Sequence, residues 1–384
     1  MMSGEHFSDE AEPGQSRAKL YYWWRTATKF DECVKLKMDL PNISMISPTC
    51  KVLREMERLA SIASEGLHEL RQKLSAYRSG DMWLPIGGKE KKDMDIPPVN
   101  TILLVGFHNA GKSSLVNLMY TILGRSGLVP FAQTCQIYSE NSTNYASFLM
   151  EEHNVLRSTR SGFCVYDTRG FDYDCVDETL TQLSEWMTDG VRHNQLCLRQ
   201  RDHLTNRAEL EIHSSRSCAM YANRRVNCVM VVVNVEEIRE AVKVGDKKPL
   251  EALRQLFALA ASKKSNENPI LILTHGDKLS TEDRIYIRLK ICESIGTSES
   301  NGTYDIVCVT EYGFLPDEVD PVTAYALTEA VYRALIISDR GHLPKRKLQD
   351  SVSLVLSWFM CSIAKFFAFF AHFFSRLGRK KLKW

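Results

Sequence analysis

A glycine-rich segment in the first third of the chain has residue types and spacing that suit phosphate binding. Gly106, Gly111, Lys112 and Ser113 follow the pattern G-x-x-x-x-G-K-S. The segment comes directly after the apolar run Thr101–Val105 and directly before a helical pattern, which is the context that this motif requires. Its glycines let backbone N–H groups surround phosphate oxygens, and the helix N-terminus adds a positive dipole. We therefore expect Lys112 to contact the β- and γ-phosphates of a nucleotide and Ser113 to ligate Mg²⁺.

An acidic residue follows a later apolar run. Phe163–Tyr166 leads into Asp167-Thr168-Arg169-Gly170, a D-x-x-G pattern. An aspartate at the carboxyl end of a buried strand, beside the strand that enters the phosphate loop, suits coordination of Mg²⁺ through water. D-x-x-G is common by chance, and it gains weight here because it follows the phosphate motif at a workable distance.

A third polar segment, Thr274-His275-Gly276-Asp277, follows the apolar run 270–273. In this order the three segments resemble the G1, G3 and G4 motifs of P-loop GTPases, and the stretch NAGKSSLVN resembles the Era and MnmE branch of that class. The resemblance covers residues 98–340 and leaves both flanks unmatched. It implies an α/β fold, a three-layer P-loop NTPase G domain with a mostly parallel sheet, which binds GTP or GDP together with Mg²⁺.

The resemblance also implies roles for individual residues. Asp277 would accept hydrogen bonds from guanine, although a structural aspartate after a buried strand is the alternative, and His275 replaces the family's lysine beside the base. The catalytic positions would be Lys112, Asp167 and Gly170. The nucleotide-binding positions would be Gly106, His108, Asn109, Ala110, Gly111, Lys112, Ser113, Ser114, Thr274, His275, Asp277 and Thr310. The metal ligands would be Ser113, Thr134 and Asp167, with Thr143 as the alternative switch threonine to Thr134 and a plain loop threonine also open.

Two features predict slow hydrolysis. Phe171 follows the D-x-x-G pattern where the family often has a glutamine that orients water, and His108 fills a position that small GTPases keep as glycine to admit an arginine finger. Arg169 is either a charge stabiliser or an arginine of the switch surface that contacts solvent. Asn109 matches an asparagine that the Era and MnmE branch links to a potassium ion near the phosphates, and bracing of the loop is its alternative role.

Apolar runs alternate with helical patterns across this region, which predicts a mostly parallel sheet covered on both faces. The predicted strands are Thr101–Val105, Phe163–Tyr166, Val226–Asn234, Ile270–Thr274 and Asp305–Val309. The predicted helices are Ser113–Leu123, Asp177–Met187, Leu250–Ser262, Thr281–Ser294 and Val322–Ile337. Residues 190–225 fit neither period and are interpreted as an insertion.

The flanks suggest separate elements. Residues 53–77 show apolar positions three and four apart, after a Ser47-Pro48 helix start, so they predict a long helix that packs within the chain or forms an intermolecular coiled coil. The predicted organisation is a largely disordered or irregular region 1–46, a heptad helix 47–80, a linker 81–97, the G domain 98–340, and a basic linker, amphipathic helix 352–377 and basic tail in 341–384.

Composition narrows the class of protein. The formal net charge is +2, which does not favour a dedicated nucleic-acid binder. The chain has 11 cysteines, none with C-x-x-C spacing, and we interpret them as free thiols of a reducing compartment. The polar N-terminus has no apolar signal segment.

Residues 352–377 predict a membrane contact that faces the cytosol. Val, Leu, Ile and Phe occupy one helical face, Lys365 and His372 lie on the other, and basic residues crowd the end of the chain. The helix could lie in the interface, span the bilayer, pair through its small residues or pack on the heptad helix.

Three function classes remain after these observations. The first is a slow GTP hydrolase that acts as a membrane-associated switch. The second is a guanine-nucleotide-binding interaction module with negligible turnover, and the third is a P-loop ATPase or kinase.

Overall fold

The computed structural model describes residues 22–35, 46–85, 88–124, 132, 148–200, 202, 207–261, 268–308, 320–345 and 357–370. The chain divides into two compact units. One comprises Met1–Leu84 with Ile96–Gly341, and the other comprises Pro85–Asp95 with His342–Trp384.

The first unit is built on a seven-stranded sheet with the strand order β4-β2-β3-β1-β5-β6-β7. Its strands are β1 (Asn100–Val105), β2 (Leu149–His153), β3 (Phe163–Asp167), β4 (Gln195–Leu196), β5 (Val226–Asn234), β6 (Ile270–Thr274) and β7 (Thr303–Asp305). All neighbours pair in parallel except β2, which runs antiparallel to β3 and β4. The predicted α/β class with a mostly parallel sheet is confirmed.

Helices cover both faces of the sheet. They are α1 (Phe30–Lys35), α2 (Pro48–Ala76), α3 (Lys112–Leu123), α4 (Val176–Asp189), α5 (Arg207–Ala219), α6 (Val235–Val244), α7 (Lys248–Ala261), α8 (Thr281–Ile295) and α9 (Pro321–Arg340). Successive strand residues point to opposite faces. Ile102 and Leu104 of β1 therefore pack with α2, α3 and α9, while Leu103 and Val105 pack with α4, α7 and α8. This two-sided burial explains why the central strands have continuous apolar sequences.

The heptad-patterned helix α2 packs within the chain. Ser47 caps it by accepting a hydrogen bond from the Cys50 amide, and its apolar face is buried against α9. At its end, the buried Asp339 carboxylate accepts hydrogen bonds from Tyr77 Oη (2.9 Å) and Asn100 Nδ2 (2.7 Å). Because Asn100 begins β1, this cluster fixes the strand that enters the phosphate loop.

The structure corrects some of the predicted elements. The last strand is Thr303–Asp305 rather than 305–309, because pairing begins at the Gly302 turn and β7 meets β6 from Thr303 onward. The predicted insertion 190–225 contains β4 and α5. Strand β2 and helices α1 and α6 were not predicted, and α1 lies in the region 1–46 that was predicted to be largely disordered or irregular.

The interpretation of all cysteines as free thiols is wrong for two of them. Cys33 and Cys50 form a disulfide, because α1 lies against the start of α2 with the two Cα atoms 4.9 Å apart. The other described cysteines form no disulfide, and Cys164, Cys197, Cys228 and Cys292 are buried.

The second unit contains a short 3₁₀ helix, Lys91–Asp93, and a backbone bridge between Met94 and Pro344. Helix α10 covers residues 357–370, which is the described part of the predicted helix 352–377. Its large apolar side chains are exposed, with Trp358 at 72% and Phe369 at 67%. Across the described ranges of the chain, no helix combines the length and the apolar character needed to cross a membrane.

Candidate functional site

The loop between β1 and α3 has the backbone shape of a phosphate cradle. A Cβ at Gly106 would lie 2.3 Å from the Val232 carbonyl oxygen, so only glycine fits beside β5. Asn109 and Gly111 have positive φ angles of 56° and 84°, and these turns direct the chain into the N-terminus of α3. Positive φ at these two positions turns the chain back on itself, as a loop that wraps an anion requires.

Lys112 lies inside this loop. The side chain is buried, and its Nζ donates to the carbonyl oxygens of Gly106 and Phe107, each at 3.2 Å. Burial lowers the pKa of Lys112 to about 8, because the surroundings disfavour its charge. A phosphate group in the loop would reverse that effect and make the ammonium a strong phosphate partner.

The Ser113 hydroxyl and the Asp167 carboxylate meet at the first turn of α3. Ser113 Oγ donates to Asp167 Oδ2 at 2.5 Å, and Asp167 Oδ1 is buried without a hydrogen-bond partner. Burial raises the pKa of Asp167. A hydroxyl beside a carboxylate with an unsatisfied oxygen is a donor set that suits Mg²⁺, so these residues fit the predicted metal.

The D-x-x-G segment is fastened to the phosphate loop. The His108 amide donates to the Phe171 carbonyl (2.8 Å), and the Phe171 amide donates to the Gly106 carbonyl (3.0 Å). A Cβ at Gly170 would lie 2.9 Å from His108 Cα, so glycine permits this close approach. Phe171 itself points into the core and is fully buried.

Arg169 matches neither of its predicted roles. Its guanidinium forms a two-pronged ion pair with Asp202, with distances of 2.5 and 2.7 Å, and its side chain is 14% exposed. Its charge is therefore already paired within the chain, and it does not extend into solvent as a surface arginine would. The reason is that the segment after β4 folds over it and supplies the carboxylate.

The same segment brings an arginine to the loop that the sequence did not single out. Arg199 donates from Nη2 to the Gly170 carbonyl at 2.5 Å, and its Nη1 lies 3.3 Å from His108 Nε2. Burial, together with the charge of Arg199, lowers the pKa of His108 to about 4, so this imidazole is neutral at pH 7. The signal that could have found Arg199 is its place in an insertion rich in arginine, but nothing in the sequence states where that insertion folds.

The predicted base-binding segment contacts the phosphate loop from the end of β6. Thr274 Oγ1 donates to the Ala110 carbonyl at 2.8 Å and lies 2.9 Å from His275 Nδ1. His275 has a φ of 59°. Its ring packs against Gly111, since a Cβ placed on that glycine would lie 3.4 Å from His275 Cε1. Burial lowers the pKa of His275. Asp277 is exposed in the 3₁₀ turn that follows, where a base could reach its carboxylate.

Ser114 lies half-buried in the first turn of α3. Thr134, Thr143 and Thr310 lie outside the described residues. Between α3 and these positions, the Ala132 amide donates to Asn117 Oδ1 at 2.8 Å, which ties Ala132 to α3.

Comparison with known proteins gives remote likenesses to solved structures. No protein-family model and no curated protein matches the chain. Among solved structures it is similar to a probable GTP-binding protein engB, with 13% identity, 62% of this chain and 100% of that chain covered, and a TM-score of 0.34. It is also similar to a dimerization-deficient mutant of Toc33 from Arabidopsis thaliana, with 15% identity, 74% and 95% coverage, and a TM-score of 0.33. At these TM-scores the likeness carries no argument about function, which therefore depends on the geometry of the site.

Proposed function

We propose that this chain binds a guanine nucleotide with Mg²⁺ and hydrolyses GTP slowly, as a membrane-associated molecular switch. One observation supports nucleotide binding above all others. A glycine loop, a buried lysine and the Ser113–Asp167 pair converge at the N-terminus of one helix, α3. That arrangement has the parts that position a triphosphate and neutralise its charge.

Each part would do a separate task. The Lys112 ammonium would contact the β- and γ-phosphates, and Ser113 and Asp167 would hold Mg²⁺, the aspartate through water. Bound Mg²⁺ neutralises charge on the phosphates. The Gly170 backbone, held beside His108, would border the γ-phosphate.

Preference for guanine rests on Asp277. A carboxylate can accept from both the N1–H and the 2-amino group of guanine, and adenine does not offer that pair. His275 would cover the base in place of a lysine stem. The Thr274 bond to Ala110 supports this role, because it joins the base segment to the phosphate loop.

Slow hydrolysis is supported by the apolar side chain of Phe171 and by its position. Its ring lies in the core, so it cannot orient the attacking water as a glutamine would. A chain that binds GTP without turnover is the alternative, and single-turnover hydrolysis separates the two. A potassium ion near Asn109, as the resemblance to the Era and MnmE branch suggests, would raise the rate in KCl over NaCl at equal ionic strength.

Membrane association is supported by helix α10. Its aromatic side chains are exposed, and basic residues follow it in the sequence. Such a helix can insert its apolar face among lipids while basic residues meet anionic headgroups. We therefore propose an intracellular protein that works on a cytosol-facing membrane surface.

Two substitutions test the nucleotide site by calorimetry with GDP, GTP, ADP and ATP. Lys112→Ala removes a phosphate contact and should weaken GDP binding with or without Mg²⁺. Ser113→Asn disturbs the metal site, so its loss of affinity should be larger with Mg²⁺ than with EDTA. Lys243→Ala, an exposed lysine of α6 that is 49% exposed, is the matched control. If both site variants bind GDP like the wild type, residues 106–113 are not the phosphate site.

A further inference from the structure

We infer that Arg199 is a further catalytic residue of the GTP hydrolysis proposed above, supplying positive charge to the γ-phosphate from within the same chain. The inference rests on the proposed function and adds to it a group that neither the motifs nor the metal provides.

The position of Arg199 is the first support. Its side chain bridges two residues that border the γ-phosphate end of the loop, His108 of the phosphate loop and Gly170 of the D-x-x-G segment. It also lies near enough to Lys112 for its charge to help lower the pKa of that lysine. A guanidinium here lies where negative charge develops during phosphoryl transfer.

Its charge is the second support. Arg199 is only 5% exposed, and among the described residues no carboxylate lies within ion-pair distance of its guanidinium. The nearby acid, Asp202, binds Arg169 with both oxygens and accepts from the Arg199 backbone amide at 2.7 Å instead. Arg199 Nε is buried without a hydrogen-bond partner. A buried, unpaired cation is costly unless an anion joins it, so the site is built to receive one.

The contacts that hold Arg199 are the third support. Both are neutral acceptors, a backbone carbonyl and an unprotonated imidazole. Hydrogen bonds from a guanidinium to a phosphate are stronger than bonds to neutral acceptors, so N–H groups of Arg199 would turn to a phosphate oxygen. From the sequence, His108 was expected to exclude an arginine finger. In the structure its ring instead contacts Arg199 and positions this arginine beside the loop.

The chemical step needs no proton from Arg199. The oxygen of water forms a bond to the γ-phosphorus while the bond from phosphorus to the β–γ bridging oxygen breaks. The electron pair of the broken bond stays on GDP, and the proton lost by water passes to the released phosphate. The guanidinium stabilises charge on the γ-phosphoryl oxygens and remains protonated throughout.

The test uses the full-length protein and separates binding from turnover. Arg199→Ala should lower the single-turnover rate of GTP hydrolysis by about 100-fold or more, because a preorganised charge at the transition state is lost. Its affinity for GDP should stay within about threefold of the wild type, because GDP has no γ-phosphate. Arg199→Lys should recover part of the rate, and free guanidinium ion should partly rescue Arg199→Ala but not the wild type.

Arg224→Ala is the matched control. Arg224 belongs to the same inserted region but binds Glu152 at 2.9 Å, away from the phosphate loop. Arg224→Ala should keep the wild-type rate of hydrolysis. It shows whether loss of an arginine from the inserted region is by itself enough to slow the reaction. The inference is overturned if Arg199→Ala hydrolyses GTP like the wild type, if it loses GDP affinity in step with rate, or if the wild type binds GDP and does not turn GTP over. Absence of GDP binding in the wild type would instead refute the proposed function itself.

Discussion

At the scale of single residues, the proposed nucleotide site divides between a buried end and an exposed end. Lys112, Ser113 and Asp167 are largely shielded from water, whereas Asp277 is exposed at the far side of His275. In the proposed site, buried charged residues would contact the phosphates, and the Asp277 carboxylate would select the base through its hydrogen bonds. The two ends can be tested separately for this reason.

Exchange of Asp277 for asparagine should change which base is bound. We expect the wild type to prefer guanine over adenine nucleotides by at least about 100-fold. Asp277→Asn should weaken GDP and strengthen the xanthine analogue, because an amide matches the altered edge of that base. Competition binding with GDP, XDP and ADP measures both effects. Equal affinity of the wild type for GDP and ADP would contradict the G-domain assignment, and Asp283→Asn on α8 serves as the control.

Lys112, Ser113, Asp167 and Gly170 could be predicted because each sits at fixed spacing beside an apolar strand. Arg199 could not, because its role depends on how residues 190–225 fold and on the partner that Asp202 takes. Motif spacing encodes the ends of strands, where the chain path is nearly determined. It does not encode which side chain of an insertion reaches back to those ends.

At the scale of elements, the segment Tyr22–Lys35 is held to the first unit by buried apolar side chains, among them Trp24, and by a few polar contacts. Glu57 of α2 accepts from Trp24 Nε1 (2.9 Å) and Arg25 (2.7 Å). Trp23 lies under the Arg284 guanidinium at 4.1 Å from its ring centre, and Arg284 is paired with the buried Asp305. The Cys33–Cys50 disulfide closes the other end of the segment.

This attachment should depend on pH. Burial alone would raise the pKa of Glu57, but the hydrogen bonds from Arg25 and Trp24 outweigh it and lower the pKa below its usual value of 4.5. The stabilisation is therefore fully present above the usual pKa of 4.5 and is lost as the pH falls through the lowered pKa of the folded state. Glu57→Gln should reduce the free energy of unfolding by about 1 kcal/mol at pH 7, since Arg25 is partly solvent-screened, and by less at pH 3.5.

Urea denaturation followed by tryptophan fluorescence measures this difference at the two pH values. Glu69→Gln, an exposed carboxylate of the same helix, is the control and should show no measurable loss at either pH. A Glu57→Gln penalty that stays constant between pH 7 and pH 3.5 would show that the charge of Glu57 does not hold the segment.

The sequence predicted most elements of the sheet and its covering helices but missed strand β2 and helix α6, for two different reasons. Strand β2 has the sequence LMEEH, and its glutamate Glu152 is stabilised by Tyr166 and Arg224 from other parts of the chain. Helix α6 follows β5 with no loop between them, because Asn234 both ends the strand and caps the helix. Strand β2 was missed because its stabilising partners are distant in sequence. Helix α6 was missed because its cap is also the last residue of β5.

At the scale of the whole molecule, the chain combines the unit that holds the proposed nucleotide site with a second unit whose described helix α10 has exposed aromatic side chains. Aromatic residues on a helix surface are costly in water, so a lipid interface is the environment that suits α10. Under the proposed function, α10 would attach the nucleotide-binding unit to a membrane surface.

Truncation after residue 348 should release the protein from membranes. Fractionation of cells that express the full chain and the 1–348 form measures this, and carbonate washing distinguishes an interfacial helix, which is extracted, from a spanning one. Changing Phe366, Phe367, Phe369 and Phe370 to serine in the full chain should give the same release while keeping the basic tail. A full-length protein found wholly in the soluble fraction would contradict the proposal.

Phe171 links the candidate site to the hydrophobic core, and this link restricts which residue the position can hold. Its ring fills the core below β1 and β3, while its backbone is bonded to Gly106 and His108. A glutamine at position 171 would either bury its amide in this core or pull the loop apart before it could orient a water molecule. Core packing therefore limits which side chain position 171 can hold, before catalysis is considered.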